Sequence, residues 1–189
     1  MLPMLFALAL QAAEPIPDPR IACIYDALSR DDARAALGLA ADGSRMTPSP
    51  AAERKLRIAG QNCQNYYNWF DHLRWRAAYY FSARTTREAM GEALVARGLS
   101  AAAIDQLLAE LSPVERRQLF IAANGPAPQD LTAIRKVARL AEARVGRAAA
   151  TLLATGVVAA AGMTVAQDSD IGPILVAAGR SRNGLPRTM

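Results

Sequence analysis

The chain of 189 residues carries one histidine, two cysteines and, among its 22 basic side chains, only the lysines Lys55 and Lys136. A single histidine, His72, excludes a multi-histidine metal centre, and two cysteines exclude a zinc finger. A serine or cysteine nucleophile would have to find its base in that same histidine. The sequence also lacks a G-x-S-x-G elbow, a P-loop, a dinucleotide-binding fingerprint, an H-E-x-x-H pair and an EF-hand loop. Glycine (12) and proline (11) are too scarce for a collagen-like or low-complexity chain. No stretch alternates apolar and polar β-branched residues, so no sheet is expected. Neither a metal nor a cofactor is expected.

What is abundant is alanine, with 41 residues, and arginine, with 20. That bias reads as a GC-rich bacterial genome and says nothing of function. Hydrophobic residues make up 52% and charged residues 21%, which argues for a packed domain rather than disorder. Residues 1–13 hold no charged side chain. An apolar run from Leu2 to Leu10 is followed by the small residues Ala12 and Ala13, then by Glu14-Pro15-Ile16-Pro17-Asp18-Pro19. This is the shape of a short signal peptide, although no basic side chain precedes the apolar run. It is too short to span a bilayer, which takes ~20 residues. The alternative is an apolar segment that stays on the chain as a tether or packs on the fold. Export would place Cys23 and Cys63 in an oxidising compartment, where a disulfide is expected; two buried free thiols are the alternative.

The rest reads as helix after helix, an all-α bundle of about six helices over residues 14–167, followed by a tail at 168–189. A first helix runs from Pro19 to Leu28. A second, capped by Asp31 or Asp32, runs to about Ala41. Ser49 with Pro50 at the first helical position opens a long helix to about Ala83, with Gly60 its weakest point. Thr85-Thr86-Arg87-Glu88 reads as a capping box starting a helix that ends at Gly98. Ser100 caps the next, and Ser112-Pro113-Val114-Glu115 opens another that Asn124-Gly125-Pro126 stops. Asp130 caps a last helix reaching about Gln167. The tail holds an apolar piece, Ile174 to Ala178, and the basic residues Arg180, Arg182 and Arg187.

Three features can carry function. Eight of the eleven aromatic residues fall between Tyr66 and Phe81, interleaved with amides and arginines. On a continuous helix Cys63, Tyr66, Tyr67, Phe70, Leu73, Ala77 and Phe81 share one side, and Trp69, His72, Arg76 and Tyr79 another. Trp69, His72, Trp75, Arg76 and Tyr79 are therefore a candidate binding groove, where rings stack on sugars, bases or peptide aromatics; a core helix has the same appearance. The second feature is a candidate basic surface of Arg135, Lys136, Arg139, Arg144 and Arg147 opposite an apolar stripe. The third is Ala148 to Gln167, twenty residues without a charge, long enough for a membrane span but built mainly of small side chains.

The expectation is an exported helical protein of the bacterial envelope, periplasmic or secreted, acting as a non-enzymatic binding or structural module. Its partner would be an envelope protein, a peptide or an anionic membrane surface. Nucleic acid is disfavoured by export, and an oligomer remains compatible with the small-residue helix. The alternatives are a cell-wall glycan hydrolase using Glu88, Glu92 or Asp71, and an inner-membrane protein anchored through residues 148–167.

Overall fold

The computed structural model describes residues 17–124 and 130–168. The leader expected at 1–13, the apolar piece Ile174 to Ala178 and the tail arginines lie outside the described residues. Those described form eight α-helices, with one isolated antiparallel bridge between Leu39 and Arg45 in the loop after the second.

Local sequence explains most helix starts. Asp18 accepts the Arg20 N–H ahead of α1 (Pro19–Asp26). Ser29 caps α2 (Arg30–Leu37), one turn earlier than the expected Asp31 or Asp32, and its hydroxyl accepts the Asp32 N–H. Gly38 ends α2 at φ 61°, a left-handed conformation that glycine enters without a Cβ penalty. Ser49 and Pro50 open α3 (Pro50–Tyr67). Ser100 accepts the Ala102 N–H before α5 (Ala103–Ala109). Ser112 and Glu115 form a reciprocal capping box at α6 (Pro113–Asn124): the Glu115 N–H donates to Ser112 Oγ at 3.2 Å, and the Ser112 N–H to Glu115 Oε2 at 2.8 Å.

Two expected long helices are each broken in two, while the start expected at Thr85 is lost, so the seven helices traced from the sequence become eight among the described residues. The helix expected over 50–83 stops at Tyr67. Asn68 takes φ 47°, the left-handed region that asparagine tolerates better than most residues. Phe70 then acts as the extended N-terminal boundary of α4 (Asp71–Val95). The helix expected over 130–167 breaks at Gly146, φ 74°, into α7 (Thr132–Val145) and α8 (Arg147–Gln167). Conversely, Thr85-Thr86-Arg87-Glu88 starts nothing. It lies inside α4, with Thr85 buried and Glu88 bonded to Tyr25 and Arg84 instead. Tertiary partners override the local capping signal.

The uncharged helix α8 is the centre of the bundle, packed on α4, α5, α6 and α7. The main apolar cluster joins Leu94, Ile104, Leu107, Val137, Leu153 and Val157 from these helices. A second gathers Ile21, Tyr79, Tyr80 and Phe120 around the C-terminal end of α8 at Met163. A third, Ile24, Cys63, Trp69, Leu73 and Phe81, binds α1 and α3 to the start of α4. Cys23 and Cys63 form the expected disulfide there, with Cα atoms 6.0 Å apart. Small residues let α8 approach its neighbours closely. A Cβ at Gly156 would sit 2.6 Å from Ile104 Cδ1 and 3.3 Å from Met90 Cβ.

Gly156→Val is therefore expected to destabilise the fold by about 2 kcal/mol through overpacking. Gly60→Ala, whose methyl would meet only Ile24 Cδ1 at 4.0 Å, is expected to stabilise it by about 0.5–1 kcal/mol. Urea unfolding of both variants checks the pair; a Gly156→Val protein as stable as the parent would contradict the close α4–α5–α8 packing.

Candidate functional site

The five residues of the expected aromatic groove are not gathered into one surface. Trp69, 7% exposed, is buried in the cluster around the disulfide, and its indole Nε1 has no hydrogen-bond partner among the described residues. Tyr79 is buried in a different cluster, where it meets Phe120 edge to face at 5.0 Å and Trp75 at 6.2 Å. Trp75 is half-buried. Tyr79 and Phe120 also line a crevice of about 190 Å³ between α4, α6 and α8, rimmed by Thr86, Asn124 and Thr155.

Arg76 points inward. Its Nε donates to the Ala166 carbonyl at 2.9 Å and its Nη2 to the Gln167 carbonyl at 2.8 Å, so it caps the C-terminus of α8. Cations are favoured there because the last carbonyls lack helical donors. Burial draws its pKa below the ordinary arginine value, while Asp18 and Asp168 act in the opposite direction. The guanidinium is committed to holding the fold.

The break at Asn68 instead exposes a different set of rings. Tyr66 is 81% and Phe70 68% exposed. Tyr66 packs edge to face on Tyr67 at 4.8 Å, and Phe70 lies parallel to the exposed His72 ring at 6.4 Å. Helical-wheel reasoning on an unbroken helix put Tyr66 and Phe70 on the side of Cys63 and the core. The left-handed residue at 68 changes the direction of the chain, sends Trp69 inward and turns Phe70 out. The readable signal was the asparagine, a residue suited to φ > 0, between two aromatic pairs. The turn residue Asn68 lies five positions beyond Cys63, between Tyr67 and Trp69, which both pack on the stapled cluster.

The expected basic surface on α7 is largely neutralised. Lys136 donates to Glu115 at 2.6 Å, Arg144 pairs with Glu110, and Arg147 with Glu142 at 3.2 Å. Arg135 and Arg139 are exposed without an ion pair among the described residues. Helix α3 likewise presents Arg54 and Arg57, both exposed and without a partner among the described residues, on a helix with no acidic residue after Glu53.

The carboxylates Glu88 and Glu92 lie one turn apart on α4 rather than across a cleft, and arginines hold both. Glu88 pairs with Arg84 at 3.3 Å and Arg30 at 3.8 Å, and it accepts the Tyr25 hydroxyl. Glu92 pairs with Arg34 and, at 4.0 Å, with Arg30. Arg84 also lies over the Tyr25 ring, 4.1 Å from its centroid. Burial, and then the Glu88 hydrogen bond, push the Tyr25 phenol up to about 12. This network borders an open hollow of about 600 Å³ floored by Gly91, Ala101 and Ile104. It ties α1 and α2 to α4. The side chain of Asp71 lies outside what is described. No group of His, Cys, Asp and Glu among the described residues has the spacing of a metal site.

No protein-family model, curated protein or solved structure matches the chain.

The Lys136 ammonium, first, and then the Ser112 backbone and hydroxyl draw the Glu115 carboxyl down to about 2. Its contribution to stability is complete above the ordinary carboxyl value of 4.5 and is lost as pH falls from there towards 2. Glu115→Gln is expected to flatten the acid limb of the stability curve in that window, measured by urea midpoints from pH 6 down to about pH 2. An unchanged acid limb would contradict the clamp between α6 and α7.

Proposed function

We propose that the chain is an exported, non-enzymatic binding module of the bacterial envelope that presents its aromatic corner to an envelope component. The observation that carries this reading is the pair of exposed rings, Tyr66 and Phe70, on a corner stapled to α1 through Cys63. Large rings left in water cost free energy that burial against a partner would recover, at ~25 cal/mol per Å² of apolar area. Export is supported by the pairing of both cysteines, since disulfides persist in oxidising compartments, together with the apolar leader at 1–13.

The two alternatives find less support. Glycan hydrolysis by paired carboxylates calls for two groups facing each other across the substrate. Glu88 and Glu92 share one helical face and are engaged by arginines. Helix α8 has the length and apolarity to cross a membrane. Its Leu153, Val157 and Ala161 are nevertheless enclosed by protein, which favours a role as the core helix.

The test joins processing to contact. Protein recovered from the periplasmic fraction should lack residues 1–13 and take up no alkylating agent before reduction. A photoreactive residue at position 70 should form an adduct with an envelope component in intact cells, whereas one at the equally exposed Val114 should not. Full-length cytoplasmic protein with two alkylatable thiols would contradict the reading. So would equal labelling from both positions, or release of glycan fragments by the purified protein.

A further inference from the structure

Away from the aromatic corner, the crevice of about 190 Å³ between α4, α6 and α8 is long and narrow. Its lining runs from Tyr79 to Thr86 along α4 and from Thr155 to Gly162 along α8, two turns of each helix and roughly 10 Å. The two helices are antiparallel here. A Cβ on Gly162 would sit 3.4 Å from Ala83 Cβ, and one on Gly156 would sit 3.3 Å from Met90 Cβ. The small residues Ala83, Ala159 and Gly162 keep the space between them open. Spread over its length, the volume gives a cross-section of roughly 18 Å², the girth of one hydrocarbon chain.

The two ends differ in chemistry. At the Gly162 end stand Tyr79 and Phe120, both buried, with their rings edge to face at 5.0 Å. At the other end Thr86 and Thr155 contribute hydroxyls that make no hydrogen bond among the described residues. The loop after α2 crosses there: a Cβ on Gly43 would meet Leu152 and Met90, each one turn beyond those threonines. That loop carries Arg45, the one charged side chain in the lining among the described residues. Arg45 Nη1 donates to the Leu37 carbonyl at 3.3 Å, while Nε and Nη2 have no partner among the described residues. A guanidinium with free donors beside two hydroxyls suits a carboxylate, whose oxygens accept only. One cation matches one negative charge. The dry, ringed end suits methylenes, which gain by leaving water.

We propose that this crevice binds a linear aliphatic carboxylate of about six to eight carbons, its head on Arg45, Thr86 and Thr155 and its chain laid between α4 and α8 towards Tyr79 and Phe120. The site is separate from the aromatic corner and goes beyond the binding-module reading, which stands or falls without it.

Equilibrium dialysis of the full chain against labelled octanoate tests this. The parent and every variant carry the same N-terminus, so any contribution of the leader cancels in the comparison. Octanoate should bind saturably, one molecule per chain. Affinity should rise about threefold per methylene from butanoate to octanoate and stop rising at decanoate, where the slot ends. Octanol should bind about tenfold more weakly than octanoate. Arg45→Gln should lower octanoate binding about tenfold and leave octanol binding unchanged, whereas Arg45→Lys should keep most of the preference for the acid. Ala123→Leu, at an exposed position in the wall, should weaken both ligands. Matching thermal unfolding curves establish that each variant is folded. The proposal is overturned if uptake does not saturate, if octanol and octanoate bind alike, or if affinity keeps climbing beyond decanoate. Octanoate binding at the parent's level in Arg45→Gln or in Ala123→Leu would overturn it equally.

Discussion

The covalent link between Cys23 and Cys63 shares with a thin apolar layer the task of holding α3 on the fold. Helix α3 is 18 residues long, yet its buried residues are two alanines and the half-cystine itself. Its closest backbone neighbours are α1 and α2, two eight-residue helices, and not the central pair α4 and α8. Burying two alanine methyls contributes on the order of 1–2 kcal/mol. Closing a 40-residue loop removes denatured-state entropy equivalent to about 4 kcal/mol. Leu56 and Tyr67 also pack, partly buried, on the cluster around the disulfide, so the staple and the apolar grip of α3 are of similar size, and what α3 displays to the outside depends on both. Trp69, the residue after the turn, is buried in the same cluster with Leu73, Ala77 and Phe81.

The remainder of the molecule is held differently. Around α8 the chain uses close approach of small residues, which brings Ile104 against Gly156 and Ala83 against Gly162. Dispersion between closely packed surfaces adds there to the burial of Leu94, Ile104, Leu107 and Leu153. Arg76 finishes α8 by bonding the Ala166 and Gln167 carbonyls from α4. The same few helices thus build a tight alanine-rich core on one side and a loosely packed, covalently fastened arm on the other. The arm carries the exposed rings and two arginines, Arg54 and Arg57, without an ion pair among the described residues.

The all-helical class, the cysteine pairing and the caps at Ser49 and Ser112 were legible because each rests on local chemistry or on composition, and the start of α7 was placed within a residue of Asp130. Asp130 accepts the Thr132 N–H at 2.8 Å, one residue ahead of the cap position, which Leu131 takes. Where the reading strayed, a single backbone residue or a distant partner decided the outcome. Asn68 and Gly146 each turn a continuous apolar pattern into two helices, and hydrophobic periodicity does not register a one-residue change of hand. Once the register breaks at 68, a wheel drawn through it assigns Phe70 and Trp69 to opposite sides from those they occupy. Likewise, Glu88 resembled a capping residue until Tyr25, 63 positions away, engaged it. The basic face of α7 was visible as composition, but its partners Glu110 and Glu115 come from other parts of the chain.

The most direct test of the stapled arm is amide hydrogen exchange on the protein with its disulfide intact and after gentle reduction. The account predicts that amides of α3, from about Leu56 to Tyr67, lose protection by more than about tenfold on reduction while those of α4 and α8 keep theirs. Unchanged protection in α3, or an equal loss across α3, α4 and α8, would contradict it.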